Sequence, residues 1–280
     1  MSGNWYPGHI ARARRFIAAN IKSCHVVIEV LDARLPHTSR QHRLEHMWEG
    51  RAHALVMSRE DLADPGLTAD WCRRHSRAGL PCLAVDLLRS APGRLRKQVL
   101  SLLPERITAR LNRGDSVRAM VVGLPNVGKS TFINAISGRG SAPSGRQPGV
   151  TRGQKWIVVG EGLRLLDLPG VLPPGGEEAR PSWWRLGAAG LIPLQSFDVQ
   201  EVAHQLLETI MPRYSEFIEN LYGVSVQRTA LLTLNDIARA RGCLMAGGKL
   251  DLERAGGLLL RDFQAGKLGR ITLDMPEAEA

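Results

Sequence analysis

Cysteine is scarce here: the chain of 280 residues has four, at 24, 72, 82 and 243, and no C-x-x-C pair among them. They read as free thiols of a reducing cytosol, with no redox or metal role, so a cytoplasmic location is expected. No uninterrupted apolar run approaches the ~20 residues that cross a bilayer, and no membrane span is expected. The opening MSGNWYPGH lacks the apolar stretch of a secretory leader, so none is expected. Acidic residues are also in short supply, 27 against 37 lysines and arginines, for a net charge of +10. Such an excess favours polyanionic partners, because neutralising phosphates releases condensed counterions. A merely solubilising surface is the alternative.

The distribution of charge favours the first reading. Arg12, Arg14, Arg15 and Lys22 precede the first acid, Glu29. Between residues 89 and 113 seven basic residues face only Glu105, and Arg139, Arg146, Arg152 and Lys155 share a Gly/Pro-rich stretch without acid. Clustering in exposed segments points to nucleic acid without choosing between RNA and DNA.

The length accommodates one large domain, or one with a smaller companion. Residues 10–19 suit a short basic amphipathic helix. "HVVIEVLDARLP" reads as a buried strand ending near Asp32, and "HALVM" and "CLAVD" as two more, with a helix over 71–78 between them. Residues 93–112 look helical and basic. "RAMVVGLPNVGKSTFINAI" restarts the pattern as strand, loop and helix, and 155–159 and 163–166 form a hairpin around Gly160-Glu161-Gly162. This alternation predicts an α/β fold with a mostly parallel, doubly wound sheet. After about residue 194 only helices follow, over 199–210, 214–222, 232–241 and 252–264. We therefore expect a basic N-terminal arm at 1–22, an α/β domain at 23–192 and an all-helical domain at 193–280.

Gly123-Leu-Pro-Asn-Val-Gly128-Lys129-Ser130 matches G-x-x-x-x-G-K-[ST] and sits between a strand and a helix, the context that this phosphate loop requires. Its backbone N–H groups, across Asn126, Val127, Gly128, Lys129, Ser130 and Thr131, can close around phosphate oxygens at a helix N-terminus. Lys129 is placed to reach the β- and γ-phosphates, and the Ser130 hydroxyl to hold Mg²⁺. Asp167-Leu-Pro-Gly170 ends a later strand, where its carboxylate contacts Mg²⁺ through water and Gly170 lets the backbone approach the γ-phosphate. Thr151, between the two motifs, is placed to complete the Mg²⁺ shell. The base reader does not follow in the usual order. No strand after Gly170 ends in Asn-Lys-x-Asp, and the nearest candidate, Ser58-Arg59-Glu60-Asp61, lies upstream after "ALVM". A circular permutation reconciles the two, because joining nearby termini and cutting elsewhere leaves the sheet intact.

At this point the chain resembles the circularly permuted GTPases of ribosome assembly, most closely the ribosome biogenesis GTPase A (YlqF) family. The resemblance runs almost end to end, through "WYPGHIARARR", "VVIEVLDARLPHTSR", "GLPNVGKSTFIN", "QPGVTRGQKW", "DLPGVLPP" and the terminal "DIARARGCLMAGGKLDLERAGGLLLRDFQAGKLGRITLD". It implies binding of GTP and GDP, hydrolysis of GTP in late maturation of the large ribosomal subunit, and a helical module that binds ribosomal RNA. We expect a monomer. Against the family's base-reading loop, Ser58 replaces Asn and Arg59 replaces Lys, while Asp61 remains to accept from the guanine N1–H and amino group. The Arg59 stem and guanidinium can lie over the purine; the shorter Ser58 predicts weaker affinity with guanine preference retained.

Val171 stands beside Gly170, where Ras-like enzymes place a water-orienting Gln, so hydrolysis without a partner is expected to be slow. The resemblance points to His9 for that task, with an RNA or surface contact as the alternative. Asn126 looks like the residue that holds K⁺ in potassium-stimulated relatives, in place of an arginine finger. Two competing functions are an RNA-binding assembly scaffold that binds nucleotide with little turnover, and a P-loop ATPase. His42 and His46 read as a solvated helix face rather than a metal site, and Trp183 and Trp184 as packing anchors between modules, with RNA stacking as the alternative.

Overall fold

A computed structural model describes residues 7–138, 156–160, 162–168, 170 and 180–276. Its centre is a six-stranded sheet in the order β3-β2-β1-β4-β6-β5. The strands are β1 (Val26–Asp32), β2 (Ala52–Ser58), β3 (Cys82–Val85), β4 (Val117–Val122), β5 (Trp156–Val159) and β6 (Leu163–Asp167). All neighbouring pairs are parallel except β5 with β6, an antiparallel pair at the sheet edge. β1 is buried along its whole length, as a central strand covered on both faces must be, which explains its unbroken VVIEVLD run.

Because β1, β2, β3, β4 and β6 are parallel, Asp32, Ser58, Val85, Val122 and Asp167 all end at one edge of the sheet. In open α/β sheets ligands bind at that edge. The N-terminal strands β1–β3 lie on one flank of β4, and β5 and β6 lie on the other. The permuted order of motifs therefore leaves a continuous sheet.

Helices α1 (Pro7–Asn20) and α2 (Pro65–Arg77) cover parts of one face; α3 (Pro92–Ser101), α4 (Glu105–Asn112) and α5 (Lys129–Ser137) cover the other. Ile17 is fully buried under the sheet, whereas Arg12, Arg14 and Arg15 are exposed. α2 starts six residues before the expected position, because Asp64 caps it by accepting from Leu67 N at 3.0 Å and Pro65 occupies its first turn. The expected helix at 93–112 is two helices, separated before Pro104, which precedes α4.

The helices α6 (Arg180–Ala188), α7 (Val199–Tyr222), α8 (Ala230–Ala240) and α9 (Leu252–Gln264) pack together. Two expected helices merge into α7, which kinks at Tyr214, just after Pro212. One apolar core runs from Val30 and Val121 of the sheet through Leu191 and Ile192 to Leu206, Ile237 and Leu259 of the helices. The helical region is thereby bonded by burial to the sheet's own core.

Candidate functional site

The phosphate loop begins where β4 stops. Gly123 takes φ 149°, and a Cβ there would sit 2.5 Å from the Val30 carbonyl oxygen, so only glycine lets the loop leave the sheet this close to β1. Lys129 opens α5 and is 8% exposed. Its Nζ donates to Leu124 O at 2.6 Å and to Gly123 O at 3.2 Å. Burial pulls its pKa from 10.5 down to about 8, while the Asp167 carboxylate pulls the other way.

Asp167 closes β6. Burial raises its pKa above the ordinary 3.8, with Lys129 opposing. Its Oδ1 is buried without a hydrogen-bond partner among the described residues. A buried carboxylate oxygen left unmatched beside an ammonium is a hard donor suited to Mg²⁺, so the residues present fit that ion. Gly170 lies directly against the phosphate loop. A Cβ there would come within 2.7 Å of Pro125 Cα and 2.9 Å of Lys129 Nζ.

The base-reading candidate comes to the same place. Ser58, Arg59 and Asp61 line a pocket of about 440 Å³ together with Asn126, Gly128, Lys129, Ser130 and Thr131. Asp86, Leu87 and Leu88, after β3, form another wall. Leu88 is 86% exposed, an apolar surface offered to whatever enters. An early carboxylate and the later lysine thus share one cavity, as the permutation required. Val127 is buried in the core and joins through its backbone.

The two altered residues behave differently from the sequence expectation. Ser58 is buried, its Oγ 2.7 Å from Val127 O and 3.0 Å from Leu31 O. It braces the phosphate loop against β1, so the shortened side chain keeps a bracing role. Arg59 does not hold its guanidinium free above a base. Nη1 donates to Asp32 Oδ2 at 2.6 Å and Nη2 to Asn126 O at 2.8 Å, on a backbone twisted to φ 58°. Only its stem is left to face a purine.

Asp32 and Arg34 were not singled out as site residues. Arg34 donates to both Asp32 oxygens, Nε at 3.0 Å and Nη2 at 2.8 Å, with side chains 1% and 0% exposed. Burial works to raise the Asp32 pKa, but Arg34 and Arg59 outweigh it and hold it at about 2. Arg34 Nη2 also donates to Ala189 O at 3.0 Å, and Leu273 N donates to Arg34 O at 2.8 Å. The end of the chain then clamps the base loop: Arg270 donates to Glu60 O and Ala63 O, both at 2.8 Å, and Ile271 N to Leu62 O at 3.0 Å. A salt pair two residues apart at the end of "VVIEVLD" was the one legible signal for Asp32 and Arg34; nothing local marks Arg270.

Two expected site residues fall elsewhere. His9 belongs to α1 but its side chain lies outside the described residues, as does Thr151 altogether. His42 and His46 lie on a 3₁₀ turn, His42–Trp48, and both are exposed. The described residues do gather Glu29, Glu45 and His53 closely, but Arg40 pairs with both glutamates there and opposes a cation.

Residues 118–220 match the family described as 50S ribosome-binding GTPase. The ribosome biogenesis GTPase A of Priestia megaterium is 35% identical over 289 residues, covering 100% of this chain and 99% of the relative. Among solved structures, GNP-bound YlqF from T. maritima superposes with a TM-score of 0.67 at 25% identity, over 95% of this chain and 99% of that one. The GDP-bound TM YlqF gives 0.69 at 24% identity, over 94% and 100%, a likeness of fold. With a whole-length relative of this identity and the phosphate loop and base loop meeting in one pocket, the chain belongs to the ribosome biogenesis GTPase A family of circularly permuted P-loop GTPases.

Proposed function

We propose that this chain binds GTP in the pocket between Asp61 and Lys129, hydrolyses it to GDP and phosphate, and thereby times its hold on ribosomal RNA during assembly of the large subunit in the cytoplasm. The observation that carries the reading is the meeting of Asp61 with Lys129, Ser130 and Thr131 around one cavity of nucleotide size. Lys129 exchanges its carbonyl acceptors for β- and γ-phosphate oxygens. The backbone N–H groups at the start of α5 hold the same phosphates. Asp61 accepts from the guanine edge, with Leu88 and the Arg59 stem on the ring faces. Asp167 and Ser130, joined by Thr151, hold Mg²⁺, which when bound neutralises charge on the β- and γ-phosphates. His9 orients the attacking water and Asn126 helps hold K⁺; both assignments rest on the family resemblance. Loss of the γ-phosphate frees the chain at Gly170, which leads within ten residues into α6 and the helical region.

Guanine discrimination tests the site. Asp61→Asn is expected to reduce the preference for GTP over ATP by about 10- to 100-fold, the worth of a charge-assisted hydrogen bond. Unchanged discrimination would refute the base assignment, and tighter ATP binding by the unaltered chain would make it an ATPase.

Val171, with no hydrogen-bonding group beside Gly170, favours a second reading: a scaffold that binds nucleotide with little turnover. Phosphate release measured with and without large subunits, in KCl and in NaCl, separates the two. Stimulation by subunits supports the switch; none in any condition supports the scaffold.

A further inference from the structure

A second concavity, of about 430 Å³, shares no lining residue with the nucleotide pocket. It is bounded by the loop after β1, by α2, by α6 and by residues 274–275 at the end of the chain. Four arginines line it, Arg40, Arg43, Arg74 and Arg185, against one carboxylate, Asp274. That carboxylate is already saturated: it accepts from His37 N at 2.9 Å, Thr38 N at 2.7 Å and Thr38 Oγ1 at 2.6 Å. The excess of positive charge is therefore not cancelled inside the cavity.

Two of these arginines retain buried donors. The Arg40 side chain is 8% exposed and pairs with Glu29 and Glu45 beneath the cavity, yet its Nε has no hydrogen-bond partner; nor has Arg185 Nε. Aromatic rings alternate with the cations. The Arg74 guanidinium lies 5.7 Å over the Trp71 ring, and His37 stacks on the other side at 6.2 Å and 26°. Trp183 is a half-buried wall from α6, and His37 and Arg43 stand exposed at the mouth. Guanidinium groups matched with ring faces in a concave site suit a phosphate and a splayed base together. An acidic peptide would use the arginines but not the rings.

We propose that this concavity takes one unpaired nucleotide of an RNA strand, with its phosphate on Arg43 and Arg74 and its base against Trp183 and His37. This rests on the reading that the chain works on ribosomal RNA, and it adds a contact outside the all-helical region. α6 supplies Trp183 and begins ten residues after Gly170, so the contact adjoins the segment that meets the γ-phosphate.

The test uses the full chain and a fluorescein-labelled single-stranded RNA of about eight nucleotides, within the usual span of such sites. Anisotropy is read across a KCl series for the unaltered chain, for Arg43→Gln with Arg74→Gln, and for Trp183→Leu. Far-UV circular dichroism and melting temperature verify that each variant is folded. The arginine pair should bind about tenfold more weakly, with a salt slope shallower by about 1.4, since each single-strand phosphate contributes roughly 0.7. Trp183→Leu should lose about tenfold in affinity with the slope kept, as for a lost stacking partner. Ultraviolet crosslinks should map to Trp71, Trp183 or the 37–43 loop, which holds even for the unaltered chain. Equal affinity and slope in folded variants, or crosslinks confined to α7–α9, would overturn this site alone. No RNA binding by the unaltered chain would overturn the RNA reading with it. Competition by UMP as effective as by the strand would make the ligand a free nucleotide and also end the proposal.

Discussion

Arg59 Nη1 and Asp32 Oδ2 lie 2.6 Å apart, joining the base-reading loop to a carboxylate buried at the end of the central strand. The same carboxylate is gripped by Arg34, whose guanidinium also reaches Ala189 O at 3.0 Å and lies 5.1 Å over the Phe263 ring of α9. One buried anion thus connects the loop that meets the nucleotide with the helices that follow it.

Removing that anion should show in stability before function. Asp32→Asn leaves the Arg34 cation buried and unmatched, and about 3 kcal/mol of unfolding free energy should be lost in urea titration. The pH dependence has a definite sign. The Asp32 carboxyl is held at about 2, below its ordinary value, so its contribution is complete above about pH 4 and is lost as pH falls towards 2. The variant should show a weaker acid limb over that window. Arg59→Ala, at a half-exposed position, should change stability little and weaken GTP about tenfold through loss of loop positioning; a large fall in melting temperature instead would make Arg59 a structural residue only.

Gly170 offers a steric test. A methyl group there would overlap the Pro125 backbone at 2.7–2.8 Å and crowd the Lys129 ammonium at 2.9 Å. Neither the loop backbone nor the buried lysine can retreat cheaply. Gly170→Ala should therefore lower GTP affinity by at least about tenfold while the sheet stays folded, as read by fluorescent nucleotide titration and circular dichroism. Affinity equal to that of the unaltered chain would place Gly170 outside the nucleotide's reach.

Lys129 makes binding sensitive to alkali. Burial lowers its pKa to about 8, so the free site loses its ammonium as pH rises through that value. Bound phosphates favour the charged form, and nucleotide binding above pH 8 must take up a proton. Calorimetry in two buffers of different ionisation enthalpy should reveal uptake of about half a proton per nucleotide at pH 8, falling towards none at pH 6.5. Equal heats in both buffers at pH 8, after allowance for dilution, would mean the lysine is fully charged beforehand.

Much of this architecture was legible in the chain. The uninterrupted VVIEVLD of β1 announced a strand covered on both faces, and "GLPNVGKST" announced its own strand–loop–helix setting. Boundaries were less visible where two local signals competed. α2 was expected to start at Trp71, although Asp64-Pro65 already carried a cap and a first-turn proline. Pro212 suggested a break between helices, yet α7 continues through a kink at Tyr214, whose hydroxyl donates to Asp64 at 3.1 Å. Packing against the base loop holds the turn that local propensity would have ended.

What the sequence settled by itself was the kind of chemistry and the permuted order of its motifs, because phosphate loops depend on backbone geometry that glycine and lysine spacing write locally. What only the tertiary structure decided was the company those motifs keep. Arg59 could be read as a lid on the purine until Asp32 and the Asn126 carbonyl were found within reach of its guanidinium. Arg270 had no reading at all until it reached the base loop from more than two hundred residues away. Partners so distant in the chain are chosen by burial and by the demand that every buried charge be matched, and neither leaves a periodic trace in the residues between them.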